Sequence, residues 1–487
     1  MNDYPLTIRL TPAGALAPGQ SWPRPALDDW YALADPACRF HPDIRSILRV
    51  AATARPDVDI FYGDAVETAA PARGTVGKGA AQDRLILKPG FDITQLIAQD
   101  YIGWPLFIRG RALEALGPPG PEAGDAAGYD LLLRANAAGM MVERIAEILS
   151  ARGATPAPDN LADRRRAVRA WLDQRLEEAE ILPGRLPTTL RLHRPLAEPP
   201  EVTLIVPTRQ TLCTLGEEAM RGRPLVLNLL ESLAQSSWPM DRLTVLVGDD
   251  IEDGAAYADR DWPFRLERVV TRRAPDEPFN YARKMNALWP LARSEYVVFL
   301  NDDIVVRQPD WIEALMSFAC DEDVGGVGAR LLYPDGRIQH AGMVGGVMGT
   351  CTHVFIKQPA TAPSYGNWAD VHREYSMVTG AAFATRRSLL ERINGFDEQF
   401  ALDWNDVDMC LRMRLLGLRI VYTPHAELTH YESASRGASN LPGADLALFL
   451  ERWSELLDND PAYNPGLVRN SPLTAPAPLA YKGWWRE

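Results

Sequence analysis

From residue 201 onward the chain alternates short apolar runs with longer stretches whose apolar positions recur every three or four residues. Val202 to Val206, Leu243 to Val247 and Tyr296 to Leu300 are the runs, of a length that suits strands buried on both faces. Between them, the stretches around Leu225 to Ala234 and Tyr281 to Leu291 read as helices. Such alternation predicts an α/β domain with a mostly parallel sheet covered on both sides. Beyond Leu300 the pattern changes. Trp311 to Phe318 reads as a helix and Leu331 to Ile338 as a hairpin turning at Pro334-Asp335-Gly336, so the sheet becomes mixed.

Upstream, Leu161, Val168, Trp171, Leu172 and Leu176 fall at helical spacing and Pro183-Gly184 ends the pattern, which predicts a connector helix over 160–182. Its cluster Arg164, Arg165, Arg166 and Arg169 reads as a solvated face rather than a contact to lipid phosphates. Ala197-Glu198-Pro199-Pro200 then marks a boundary. The expected organisation is a smaller α/β domain over 1–160, a helical linker over 161–200, a larger α/β domain over 201–435, and a C-terminal helical extension and tail over 436–487.

Composition narrows the function classes. A chain of 487 residues exceeds one compact core and implies two or three domains. A formal net charge of -13 argues against a general binder of nucleic acid or anionic membrane, while local basic patches stay possible. Cys38, Cys213, Cys320, Cys351 and Cys410 are scattered, without a Cys-x-x-Cys pair, so neither a disulfide framework nor a zinc site is indicated and a reducing cytoplasm fits best. The amino-terminal residues lack a basic segment followed by an apolar one, and no run approaches the roughly 18 apolar residues of a membrane span. A cytoplasmic protein, at most peripheral to the inner membrane, is expected. Gly325-Gly326-Val327-Gly328 and the segment Gly342 to Gly349 lack the strand-to-helix context of a phosphate loop.

The candidate chemistry begins at Asn301-Asp302-Asp303, directly after the run ending at Leu300. Two adjacent carboxylates at the carboxyl end of a buried strand stand where open α/β sheets bind ligands, an address for a metal ion and a diphosphate. Taken alone, the same three residues also make an ordinary turn. About a hundred residues later Asp403-Trp404-Asn405-Asp406-Val407-Asp408 opens a helical pattern whose buried face is marked by Val407, Cys410, Leu411 and Leu415 and whose end is Gly417, leaving Asn405 and Asp406 at an exposed first turn. Carboxylates there could simply favour the helix dipole, an explanation that suits Asp408 better than Asp406. A further strand-like run, Arg419 to Tyr422, leads to Leu428-Thr429-His430-Tyr431-Glu432.

This ordered set resembles the family 2 glycosyltransferases of the GT-A fold, which build bacterial surface polysaccharides from nucleotide sugars. The resemblance covers residues 201 to 460 well. It implies an inverting, metal-dependent transferase in which Asp303 ligates Mn²⁺ or Mg²⁺, His430 rather than His425 completes the metal site, and imidazole ligation favours Mn²⁺ somewhat. Asp302 would face the ribose or a metal-bound water, and Asn301 the donor. Asp406 would be the general base, with geometry mattering more than resting basicity. Donor recognition would fall to Pro207, Thr208, Arg209, Asp249, Asp250, Asn280, Lys284 and Asn286, which converge on the carboxyl edge of the sheet. Gly380, in Thr379-Gly380-Ala381, would lie under the donor sugar, and Trp404 could offer an apolar face to an acceptor ring. His340 matches a recurrent family segment without a catalytic role. The implied partners are a nucleoside-diphosphate sugar, of UDP or dTDP type, and a glycan or lipid-linked glycan acceptor.

The first 160 residues also bear comparison. Val58 to Asp64, Leu87 to Phe91, Tyr101-Ile102-Gly103 and Gly128 to Arg134 look like the later half of a second such domain, with Tyr129-Asp130-Leu131 where a carboxylate cluster would stand. Gly63-Asp64-Ala65 replaces a paired-acid turn and no clear His follows the Asp130 helix, so a degenerate, non-catalytic copy is expected, with an unrelated accessory domain as the alternative. Two other function classes compete for the whole. A sugar-phosphate nucleotidyltransferase would need a Gly-rich basic loop where Pro207-Thr208-Arg209-Gln210 stands. A catalytically silent glycan-binding scaffold would release no nucleoside diphosphate.

Overall fold

The computed structural model describes residues 8–12, 25–35, 37–68, 83–119, 121–153, 160–214, 216–258, 260–272, 276–431, 443–477 and 483–486. Glu432 of the His-Tyr-Glu segment lies outside them. The chain divides into two compact units, one of Met1–Leu192, Tyr463–Val468 and Ala475–Glu487, the other of His193–Ala462 and Arg469–Thr474.

The first unit is built on strands β1 (Ile8–Pro12), β2 (Trp30–Ala34), β3 (Arg39–Phe40), β4 (Ile60–Thr68), β5 (Arg84–Ile86), β6 (Leu106–Arg109) and β7 (Val142–Gly153). Its helices are α1 (Ile44–Ala54), α2 (Ile93–Ala98), α3 (Gly110–Leu116), α4 (Ala127–Ala137) and α5 (Leu161–Gln174). The period of two along β2 sends Trp30 and Ala32 to a core with Leu48 of α1, and Tyr31 and Leu33 to a core with α2, α4 and α5. Helix α5 is thus no free connector: Ala167, Val168, Trp171 and Leu172 are buried in the first unit's own core. A two-stranded ribbon, β8 (Glu180–Pro183) with β9 (Leu190–His193), follows.

In the second unit β10 (Val202–Thr208), β11 (Leu243–Asp249), β12 (Arg265–Val270) and β13 (Tyr296–Leu300) pair in parallel, as the apolar runs predict. Helices α6 (Leu225–Leu233), α7 (Ala255–Ala258), α8 (Tyr281–Leu288) and α9 (Trp311–Ala319) accompany them. The sheet then turns mixed through β14 (Ile304–Val306), β15 (Val324–Leu332), β16 (Ile338–His340), β19 (Arg373–Tyr375), β20 (Ala382–Arg386) and β21 (Arg419–His430), while β17 (Met343–Val347) and β18 (Thr350–His353) form a separate hairpin. Helices α10 (Arg387–Ile393), α11 (Asn405–Leu415) and α12 (Gly443–Asp458) complete it. Val202, Leu204 and Val206 pack with Val226, Leu230 and Trp311 in one core, each such large aliphatic burial contributing about 1.5 to 3 kcal/mol. Among the described residues no helix is long and apolar enough to cross a membrane.

The two sheets share a topology. The first runs β1-β2-β6-β4-β7-β3, and the second, from β10 on, β10-β13-β20-β15-β21-β14. The strand senses agree step by step, parallel, antiparallel, antiparallel, parallel, antiparallel. Both long parallel pairs, β4 with β7 and β15 with β21, carry a register shift at their middle.

Candidate active site

Strands β10, β11 and β13 deliver Thr208, Asp249 and Asn301 to one sheet edge. Asp302 stands in the turn after β13 and accepts a hydrogen bond from Thr208 Oγ1 at 2.6 Å. Burial, then the neighbouring Asp303, pushes its carboxyl up to about 7. Lys284 of α8, itself buried, reaches back to donate to Asp250 Oδ1 at 2.6 Å and to the Thr208 carbonyl at 3.0 Å. Arg209 donates to Thr211 Oγ1 at 3.1 Å, close beyond Pro207.

Asp303 is 5% exposed, and its Oδ1 lies 2.9 Å from His430 Nε2. The pairing of β14 with the end of β21 brings them together, with Ile304 opposite His430 and the Tyr431 amide on the Asp303 carbonyl at 2.9 Å. Asn301 Nδ2 lies 3.4 Å from the same ring nitrogen. The other ring nitrogen, Nδ1, is 2.6 Å from Gln339 Oε1. An amide oxygen can only accept, so Gln339 holds the proton on Nδ1 and turns the Nε2 lone pair toward the carboxylate. His425 lies elsewhere, its ring 4.8 Å from that of His372. His340 pairs Nδ1 to Nδ1 with His353 at 2.9 Å. Among the described residues no group of three or more His, Cys, Asp or Glu is arranged to hold a metal.

Asp406 occupies the first turn of α11, where Oδ2 accepts from the Gly380 amide at 2.6 Å and Oδ1 from the Val407 amide at 2.8 Å. A Cβ at Gly380 would stand 3.0 Å from Asp406 Cβ, so any larger residue in the loop before β20 would press on the start of α11 by a few tenths of an ångström. Several expected site residues do other work. Asn405 is buried, not exposed, and donates to the Leu402 carbonyl at 3.0 Å. Asp249 is fully buried, its Oδ2 accepting from Gln210, Tyr257 and Arg268 and its Oδ1 from the Ile251 amide. Asn280 caps α8 and donates to the Glu398 carbonyl at 2.8 Å. Asn286 spends both ends of its amide on the main chain of Phe396, donating to its carbonyl and accepting from its amide. One face of Trp404 is stacked on Phe449, ring centroids 5.5 Å apart and planes at 17°. Gln339 escaped the sequence argument, although its place beside His340 in Gln339-His340-Ala341-Gly342 was a usable signal.

Residues 199–441 match the family model described as glycosyltransferase like family 2. An uncharacterized protein of Sinorhizobium fredii, y4gI, is 29% identical over 464 residues, which are 90% of this chain and 48% of that protein. The O-antigen biosynthesis protein RfbC of Myxococcus xanthus is 30% identical over 444 residues, 88% of this chain and 33% of that protein. The chain therefore spans half or less of the length of these two relatives. A mannosyltransferase of Pyrobaculum calidifontis, solved with GDP-Man and Mn²⁺, has 18% identity and a TM-score of 0.34, covering 55% of this chain and 65% of its own. Through residues 199–441, this chain belongs to the family 2 glycosyltransferases.

Proposed function

We propose that the second unit transfers a sugar from a nucleoside diphosphate to a hydroxyl of a surface-glycan acceptor, with inversion and with the help of a divalent cation. The observation that carries this reading is the pair Asp303 and His430. A carboxylate oxygen and an imidazole lone pair 2.9 Å apart, with Gln339 fixing the tautomer, repel each other unless a cation or a proton lies with them. That donor set fits Mn²⁺ or Mg²⁺, whose remaining positions would be left to phosphate oxygens and water. When bound, such an ion supplies charge stabilisation to the departing diphosphate.

The chain's own residues do the rest. Thr208 and Asp302 orient one another where a ribose would lie, and Lys284 holds the Asp250 loop in register. Asp406, steadied by two amides, is the group to receive the acceptor proton while the hydroxyl attacks opposite the diphosphate. The relation to an O-antigen biosynthesis protein supports a surface-glycan acceptor. The first unit, whose strands repeat the order of the second, is read as a degenerate copy. By ladder register its turn after β2, which carries Asp35 and Ala37, stands where Asn301 to Asp303 stand, and by the spacing to the Asp-Arg pair of each helix Gly128 stands where Asp406 stands. Asp64 lies inside β4 at the register shift, and so is not the counterpart of the acid turn.

Release of nucleoside diphosphate across a panel of nucleotide sugars, with Mn²⁺, Mg²⁺ or chelator, tests the proposal. Activity that survives chelation removes the metal, and no release with any donor and acceptor leaves a silent binding protein. Asp303→Ala is expected to abolish metal-dependent donor binding in calorimetry while the fold melts as in the parent. The product anomer should be opposite to the donor's by NMR, and retention rejects single displacement.

A further inference from the structure

Asp408, two residues past Asp406, is fully buried and heavily bonded. Its Oδ2 accepts from Arg412 Nε at 2.7 Å, and its Oδ1 accepts from Arg452 Nη1 at 2.8 Å and from Trp453 Nε1 at 3.0 Å. Arg412 also donates to the carbonyls of Ile393 and Gly395 at the end of α10, and Arg452 donates to Asp397 Oδ2 at 2.8 Å. One carboxylate therefore ties together α11, α12 and the segment between α10 and α11. One turn earlier on α12, Phe449 stacks on Trp404. Trp404 precedes α11 with φ of +59°, in the left-handed region, which costs a non-glycine residue about 1 to 2 kcal/mol and persists only where surroundings enforce it. Helix α12 thus grips the first turn of α11 on both sides of Asp406, at Trp404 before it and at Asp408 after it.

The first unit provides an internal comparison. In α4, Arg134 bridges Asp130 at the same spacing and donates to the Leu116 carbonyl at the end of α3, as Arg412 does at the end of α10. The Asp-Arg bridge is therefore common scaffold, kept even where Gly128 stands in the place of Asp406. The α12 contacts to Trp404 and Asp408 are made on the helix that carries the carboxylate. We infer that Arg452 and Trp453 of α12 are positioning residues that hold the Asp406 carboxylate in its working place. This rests on the reading of Asp406 as general base.

The test uses the full chain, with Arg452→Leu and the charge-keeping Arg452→Lys each made in the parent and in the Asp406→Asn background. Arg452→Leu should lower kcat roughly tenfold with donor KM within about twofold, Arg452→Lys should recover part of it, and the loss should vanish once Asp406 is Asn, the non-additivity expected of residues acting as one unit. Hydrogen exchange at the Gly380 amide, which Asp406 holds, should quicken in Arg452→Leu without any substrate present. An equal loss of kcat in both backgrounds, or unchanged kcat and exchange, overturns the inference. Should Asp406→Asn itself turn over like the parent, the base assignment fails, while unaltered Gly380 exchange is what would reject the grip. If Arg452→Leu does not fold, Trp453→Phe removes a single N–H from Asp408 and is judged by the same readouts.

Discussion

Asp406, half-buried, and Lys88, buried, show two ways in which an ionisable side chain is held in this protein. Asp406 has a main-chain amide on each oxygen, so Asp406→Asn keeps shape and should keep donor affinity. Turnover should fall by about a hundredfold or more, the usual cost of losing a general base; single-turnover kinetics with an authentic acceptor measure it, and parent-like turnover rejects the role. Lys88 is the opposite case. It is buried, its Nζ has no hydrogen-bond partner among the described residues, and burial lowers its ammonium to about 8 from an ordinary 10.5. A depressed folded-state pKa means that the fold disfavours the charged form. The penalty is complete below about pH 8, shrinks as pH rises, and is gone above the unfolded value. Lys88→Met, which keeps the stem, should therefore stabilise the first unit at neutral pH, by about 1 to 3 kcal/mol. The gain should disappear between pH 8 and 10.5 in denaturant titrations; a gain independent of pH would mean that packing, not charge, is responsible.

At the scale of elements, much was legible because burial on both faces leaves a plain mark. The apolar runs at Val202, Leu243 and Tyr296 became β10, β11 and β13, and the turn of Asn301 to Asp303 fell where a strand end requires. What the pattern hid was which neighbour an apolar stripe meets. Val168, Trp171 and Leu172 have the same spacing whether α5 bridges two domains or closes one, and only the fold assigns them to the first unit's core. Polarity misled in the same way: Asn286 looks like a ligand-binding residue by type, yet its amide matches the main chain of Phe396. Gly380 was legible as a motif but not as a close approach to α11. Because its added Cβ would press on Asp406 Cβ, Gly380→Ala should displace the start of α11. Turnover should fall tenfold or more, roughly, as small misplacements of reacting groups do, with the thermal midpoint moving little. Unchanged turnover would show that the loop relaxes without disturbing Asp406.

For the molecule as a whole, the first sheet repeats the strand order of the second from β10 on, with β1 and β2 in the places of β10 and β13, while β11 and β12 lie beyond that shared path. The acids that looked like a residual site serve the fold. Asp130 bridges Arg134, and Asp64, raised to about 6 mainly by burial, accepts from the Lys88 amide and, on both oxygens, from Asn464 Nδ2 at 2.9 Å. Asn464→Ala should destabilise the first unit by about 1 to 3 kcal/mol, the cost of stripping hydrogen bonds from a buried carboxylate, and leave diphosphate release per folded molecule unchanged. A parallel loss of release would show that the two units do not act independently.

Asp64 and Asn464 are also 400 residues apart in sequence. A ribosome adding about 5 to 20 residues per second needs roughly 20 to 80 seconds to travel from one to the other. Until Asn464 is made, Asp64 has the Lys88 amide on Oδ1 but lacks the Asn464 amide that both of its oxygens share in the folded unit. Asn464 is thus a late latch, made long after the strand whose carboxylate it holds.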